Sequence, residues 1–345
     1  MSKNKMAVPR NSDIVFAIPS KGSLFEGTMK FLSNAGLPVK YESERQYTAR
    51  LGGIEGISVL FQRAEEITAK VASGAADIGL TGEDLFREQA LHSDHLLLVL
   101  RELGYGHARL VVAVPATWID VSSMEELAEL ALAFRLKHQR TLRIATKFPN
   151  LSRDFLARHG VTDYVLVESM GATESAPSSG TADLVIDLTT SGKTLSDNHL
   201  KIIKDGIVIS SQSCLIGSRR IATWDEARLE RLETFLDTIE SYLRGRDTFN
   251  IQAAIERSRL GEIGRLTHQW RLAYSLPMEE ARPGGRRDTP FVVIRMTCPR
   301  ANLHQLIRHL RQCGAEEVIV TRPEYVFREQ SESFQRLLRS FKKES

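Results

Sequence analysis

Cysteine is scarce in this chain. Three in 345 residues, Cys214, Cys298 and Cys313, are odd in number, far apart and outside any C-x-x-C pair. That argues against both a disulfide framework and a zinc site, and makes a reducing cytoplasm the expected compartment. Charge of one sign is lacking too. Lys and Arg total 46 against 43 Asp and Glu, a net charge of +3, which gives no reason to expect nucleic acid or an anionic membrane as partner. A basic pocket, as opposed to a basic face, stays compatible with that balance. No apolar run approaches the ~20 residues of a membrane-spanning helix. The first thirteen residues are polar with no apolar core, so neither an anchor nor an export segment is expected. The 42% hydrophobic and 26% charged content is that of a globular chain, long enough for roughly two or three domains with their own cores.

What is present is organised around residues 181–195, TADLVIDLTTSGKTL. Leu184, Val185 and Ile186 form a short apolar run that ends at Asp187 and gives way to Thr189, Thr190, Ser191 and Gly192. This is the pattern of a buried strand entering a tight loop. Lys193, Thr194 and Leu195 then open a helical turn, so that free backbone N–H groups, hydroxyls and one ammonium face an incoming anion. The cradle suits a phosphate monoester, and Asp187, just ahead of it, suits the hydroxyls of an attached ribose. Strand–loop–helix junctions with Gly and Thr are common, so the rest of the chain has to decide.

Upstream, residues 14–19 read as a central strand, followed by Ser20-Lys21-Gly22-Ser23 and an amphipathic helix. A strand at 59–61 and a helix carrying Ile67 and Val71, stopped by Gly74, come next. Gly79 and Gly82 flank Thr81, where backbone can approach a ligand, and a helix starts near Asp84. Strands at 95–100 and 108–114 are separated by a crossover at 101–106. A helix from 124, a strand at 142–146, a helix at 149–159 and a strand at 164–167 continue the alternation of a wound α/β layer. Strands at 202–209 and 213–216 carry the chain back to the first domain. Thr223-Trp224-Asp225-Glu226 reads as a capping box before a helix with apolar residues from Leu229 to Leu243 at 3–4 spacing. A second helix is expected over about 254–269 and a linker over 277–290. A strand at 290–296, a helix at 302–313 and a strand at 317–321 then make a β-α-β unit, and a polar helix at 328–343 ends the chain.

One ordered pattern covers thirty residues: Gly171-x-x-Glu174-x-x-Pro177-x-x-Gly180-x-Ala182-Asp183, Asp187, Ser191-Gly192-x-Thr194-Leu195, Asn198 and Leu200. Pro19-x-Lys21-Gly22, the run of Gly74, Asp77, Gly79, Gly82 and Asp84, Gly106 with Arg109, and Ala145-Thr146-Lys147-x-Pro149-Asn150 fall in order around it. In these residues the sequence resembles the ATP phosphoribosyltransferase family in its long form. The resemblance implies an α/β fold with a two-lobed catalytic part, similar to periplasmic binding proteins, and a small C-terminal α+β domain of ACT-like, ferredoxin-like type. By that resemblance, residues 1–104 and 200–246 form lobe I, 105–199 form lobe II and 247–345 form the regulatory domain.

The implied activity is condensation of ATP with phosphoribosyl pyrophosphate, the first step of histidine biosynthesis, in a homohexamer inhibited by histidine and using Mg2+. Carried over residue by residue, Asp187, Thr189, Thr190, Ser191, Gly192, Lys193 and Thr194 bind phosphoribosyl pyrophosphate, and Glu174 and Asp187 lie at its ribose as the catalytic carboxylates. Lys21, Gly22, Gly79, Gly82, Asp84 and Arg109 belong to the ATP and pyrophosphate side. Ser23 and Ser178 stand where the family usually has arginine, Glu66 replaces an aspartate, and residues 247–276 match poorly. A non-catalytic regulatory or ligand-sensing paralogue of the same fold is the alternative those serines leave open. An exported solute-binding protein would need a signal segment.

Overall fold

Short apolar runs separated by segments of helical spacing build the first two-thirds of the chain, and the runs become strands. The structure, a computed structural model, describes residues 13–41, 48–90, 95–169, 171–259, 261, 274–275, 280–281 and 291–342. The first sheet takes β1 (Ile14–Pro19), β2 (Val39–Tyr41), β3 (Thr48–Leu51), β4 (Ile57–Gln62), β5 (Ile78–Gly82) and β6 (Leu96–Leu100). The second takes β7 (Ala108–Pro115), β8 (Leu142–Thr146), β9 (Tyr164–Glu168), β10 (Leu184–Thr189) and β11 (Leu200–Ser211). β12 (Ser213–Ser218) then re-enters the first sheet. The orders are β2-β3-β4-β1-β5-β12-β6 and β11-β7-β10-β8-β9. The helices are α1 (Gly22–Asn34), α2 (Ala64–Ser73), α3 (Glu83–Ala90), α4 (Met124–His138), α5 (Pro149–Arg158) and the single turn α6 (Lys193–Asp197).

The α/β class with two lobes is thus as the sequence implies, but one stretch belongs elsewhere. The sequence reading puts residues 200–211 with the first lobe. β11 instead pairs antiparallel with β7 from Leu200 opposite Pro115 to Ser211 opposite Ala108. Its Ile203 and Ile209 are buried in the second lobe's core, and the chain recrosses only at Gln212.

The second sheet is apolar on both faces. Leu110, Val112, Val114, Ile144, Leu184 and Ile186 share one core with Met124 and Leu127 of α4 and Phe155 and Leu156 of α5. Val111, Ala113, Ala145 and Val185 form the other core with Leu195 and Leu200. Residues alternate between faces along each strand, so these runs show no gap in hydrophobicity.

The chain divides into two compact units, residues 1–232 with 337–345, and residues 233–336. α7 (Glu226–Arg246) begins in the first and ends in the second. Its cap is Asp225, whose Oδ1 accepts from the Arg228 N–H at 2.8 Å. The expected capping residue Thr223 lies in a 3-10 turn and donates its hydroxyl to Arg220 O. Leu232, Phe235, Leu236 and Ile239 form its buried stripe.

The second unit contains β13 (Thr248–Glu256), the two-residue strands β14 (Tyr274–Ser275) and β15 (Glu280–Ala281), β16 (Phe291–Pro299) and β17 (Val318–Thr321). Leu306 and Leu310 of helix Leu303–Gln312 pack on Ile251, Ala253, Ile255, Val292, Ile294 and Met296. Residues 254–256 therefore end a strand and do not begin a helix. Ile251, Ala253 and Ile255 enter the core at period two, and β13 pairs with β16 on one side and β17 on the other. Residues 257–259 form a 3-10 turn, and 260 and 262–269 lie outside the described residues. The polar end helix is Glu332–Lys342.

Candidate active site

β10 turns polar where it leaves the core: Leu184, Val185 and Ile186 are fully buried, and Asp187 is half-buried. β7 lies antiparallel beside it, with Val111 opposite Asp187 and Arg109 opposite Thr189. β8 lies parallel on the other side, with Ala145 opposite Val185 and Thr146 opposite Ile186. Arg109, Thr189 and Asp187 therefore extend the face that carries Val111, Ala113 and Val185, and Lys147 follows the end of β8. β8 leads through α5 to β9 on one side, and the chain returns from β9 to β10 on the other. The crevice at the carboxyl ends of β8 and β10 is a topological switch point, the place where open α/β sheets bind ligands.

The loop after β10 is held by its own hydroxyls. The Gly192 N–H donates to Thr189 Oγ1 at 2.8 Å, and the Lys193 N–H to Ser191 Oγ at 3.3 Å. Gly192 has φ of 78°, a left-handed turn that glycine enters without strain. The Ser196 N–H closes the first bond of α6 onto Gly192 O, so the amides of Thr194 and Leu195 lack intrahelical acceptors. Thr190, Ser191, Lys193 and Thr194 are exposed. This is an open rim of hydroxyls, amides and one ammonium.

Asp187 Oδ1 accepts from the Leu188 N–H at 2.9 Å. Burial pushes its carboxyl above the usual aspartate range; the Leu188 N–H and the Lys147 ammonium pull against that push, and the Glu174 carboxylate adds to it. Glu174 is half-buried in the 3-10 turn Thr173–Ser175. The two carboxylates and one ammonium thus act on one another beside the loop. Asp183, by contrast, anchors the start of β10. Desolvation works against its charge, but bonds from Arg140 and Arg143 hold the carboxyl down at about 2.

The remaining predicted residues divide. Lys21 and Gly22 are exposed where β1 meets α1. Arg109 lies beside the loop after β10, opposite Thr189. Gly79 is buried in β5 between Ala17 and Ile216, and a Cβ there would meet Ile67 Cγ2 at 2.6 Å. It lets α2 pack close to the strand. A Cβ at Gly82 would collide with the Asp84 carboxylate. Asp84 is itself buried, taking the Ser211 hydroxyl on Oδ1 at 2.5 Å while its N–H donates to Ser211 Oγ at 3.0 Å. It ties α3 to the end of β11, and burial raises its carboxyl.

Sequence reasoning missed Glu88. Its carboxylate, 8% exposed, accepts from the Asn150 and Leu151 N–H groups at 2.8 and 2.9 Å and so caps α5 from α3. Beside it lies a cavity of about 540 Å3 lined by Thr146, Lys147, Asn150, Arg153 and Glu168. No local pattern marks a partner 62 residues away.

A family model described as HisG, ATP phosphoribosyltransferase, matches residues 63–241, which include the whole of this loop. A curated ATP phosphoribosyltransferase of Bradyrhizobium diazoefficiens is 38% identical over 95% of this chain and 98% of its own length. The chain belongs to the ATP phosphoribosyltransferase family. It is accordingly a phosphoribosyl-transferring enzyme. The ATP phosphoribosyltransferase of Afipia carboxidovorans is 39% identical over 94% of this chain and 97% of its own. Against a solved structure, the ATP phosphoribosyl transferase (HisG:HisZ) complex from Thermotoga maritima, the TM-score is 0.49 at 24% identity, covering 66% of this chain and 95% of that one.

Proposed function

We propose that this enzyme condenses ATP with phosphoribosyl pyrophosphate to give N1-(5-phospho-β-D-ribosyl)-ATP and pyrophosphate, the first step of L-histidine biosynthesis, in the cytoplasm. The observation that supports this most is the loop itself: an open rim of amides and hydroxyls directly after a half-buried carboxylate, at a switch point of the sheet. Residues 189–194 take the 5′-phosphate, with Arg109 beside Thr189 as its cation. Asp187 takes the ribose hydroxyls. Glu174 and Asp187 together favour the positive charge that builds on the ribosyl carbon as pyrophosphate departs. Lys21 and Gly22 of the first lobe serve the ATP.

No general base is needed, because adenine N1 attacks with a free lone pair. The rate comes from alignment of the two reactants and from charge placed on the leaving group. Mg2+ suits the same place, since it binds through one or two carboxylates plus substrate phosphates. Glu174 and Asp187 are the carboxylates that would hold it, and when bound it supplies positive charge to the pyrophosphate. The C-terminal domain, residues 247–345, is the histidine sensor, and the working assembly is a homohexamer.

The test follows the near-ultraviolet absorbance rise of the product on mixing protein, ATP, phosphoribosyl pyrophosphate and Mg2+, with pyrophosphatase present. Asp187→Ala and Thr194→Ala should abolish the rise and added histidine should suppress it. A flat trace from folded protein that still binds phosphoribosyl pyrophosphate would replace this reading with the regulatory paralogue. A rise insensitive to histidine would remove the sensor.

A further inference from the structure

Ala145 and Val185 stand opposite one another on β8 and β10, in the buried floor of one sheet face. Lys147 directly follows the end of β8, beside the Asp187 end of β10, and lies close enough for its ammonium to act on that carboxylate. Lys147 is exposed and makes no hydrogen bond or ion pair among the described residues. Exposed loop lysines are mostly solvated bystanders, but this turn is fixed at both ends. The Thr146 hydroxyl takes the Phe148 N–H at 3.0 Å, and Glu88 caps α5 immediately beyond. Arg50, on β3 near the edge of the first sheet, is 3.9 Å from Asp13, and Arg45 lies outside the described residues.

We propose that Lys147 binds the pyrophosphate group of phosphoribosyl pyrophosphate and neutralises it as it leaves. This rests on the reading of residues 189–194 as the 5′-phosphate site. With that phosphate in the loop and the ribose on Asp187, the anomeric substituent emerges beside Asp187, where the Lys147 ammonium acts. In the transfer, the lone pair of adenine N1 forms the new bond to the anomeric carbon. The carbon–oxygen bond breaks, its electron pair leaves with pyrophosphate, and the adenine amino group later loses a proton to solvent. Negative charge grows on the departing oxygen, and a fixed ammonium beside it stabilises that change. Ser23 and Ser178, both exposed, offer no cation of their own.

The experiment is calorimetric titration of the full chain, with Mg2+, by phosphoribosyl pyrophosphate, by pyrophosphate and by ribose 5-phosphate. Lys147→Ala should weaken the first two about tenfold or more, the loss of one charge-assisted contact. It should leave ribose 5-phosphate and the melting temperature unchanged, and Lys147→Arg should restore most of the affinity. Unchanged pyrophosphate affinity, or an equal loss for ribose 5-phosphate, would overturn the assignment. Thr194→Ala run alongside separates the two readings, because it should weaken ribose 5-phosphate. If Thr194→Ala leaves ribose 5-phosphate untouched, the loop reading fails, and the geometry aiming Lys147 at pyrophosphate fails with it.

Discussion

Removing the Glu88 carboxylate should cost more stability than any other single polar change in the crevice. α5 has no means of capping itself: Phe148 precedes it, Pro149 is its first residue, and its first turn contains no acid. Among the described residues the amides of Asn150 and Leu151 are satisfied by Glu88, at 2.8 and 2.9 Å, on a side chain 8% exposed. A hydrogen bond to a charged group is worth roughly 1.5–3 kcal/mol, so losing two, at the lower end because water takes up part of the loss, gives about 3 kcal/mol for Glu88→Ala. Glu88→Gln keeps one acceptor oxygen and should cost about half of that. Urea unfolding followed by far-ultraviolet circular dichroism should show the midpoint falling in the order wild type, Gln, Ala, with the slope unchanged. An alanine variant within about 0.5 kcal/mol of wild type, the ordinary range of surface substitutions, would refute the capping argument.

Gly79→Val should lower the melting temperature by an overpacking cost of about 1–3 kcal/mol while the folded fraction keeps its KM for ATP. A raised KM in a folded protein would return Gly79 to the binding site. Gly192→Ala meets only Ile202 Cδ1, at 3.7 Å, so its cost is the left-handed backbone alone, about 1–2 kcal/mol. The KM for phosphoribosyl pyrophosphate should rise as the loop shifts, and an unchanged KM would separate the loop from the donor. Asp183, depressed to about 2 in the folded protein from the ordinary 3.8, contributes stability that is complete above the unfolded value and lost as pH falls through about 2. Acid titration of stability should therefore show a limb between about pH 4 and 2 that Asp183→Asn flattens, and an Asn variant with the same acid limb would rule that contribution out.

The strand–loop–helix turn after β10 was legible because everything that makes it lies within fifteen residues: the apolar run, the carboxylate, the hydroxyls and the glycine. What escaped depends on distant partners. Asp84 looks like a ligand beside two glycines, yet its partner Ser211 is 127 residues away. Gly79 carries no sign that Ile67 will press on it. Ile251, Ala254 and Ile255 have helical spacing while Ile251, Ala253 and Ile255 have strand spacing, and pairing with β16 and β17 settles the stretch as strand. At α7, Thr223 and Asp225 both have capping chemistry, and the 3-10 turn ahead of the helix gives the role to Asp225.

The carboxylates of the family pattern can be sorted by how much of their bonding capacity the protein itself consumes. Asp77 accepts from the Val15 N–H at 2.7 Å and pairs with Arg228 at 3.2 Å. Asp84 takes the Ser211 hydroxyl on Oδ1, so that it and Asp77 each use one oxygen, whereas Asp183 takes Arg140 and Arg143 on both oxygens. A buried carboxylate whose oxygens are already occupied gains nothing from a substrate hydroxyl, since binding would exchange one bond for another. Asp187 differs. It makes one bond, through Oδ1 to the adjacent amide, and desolvation leaves its charge under-compensated despite Lys147. A ribose hydroxyl donated to its other oxygen is therefore a net gain. A family match alone does not separate Asp187 from Asp183, four residues earlier in the same pattern, whereas the count of occupied oxygens does.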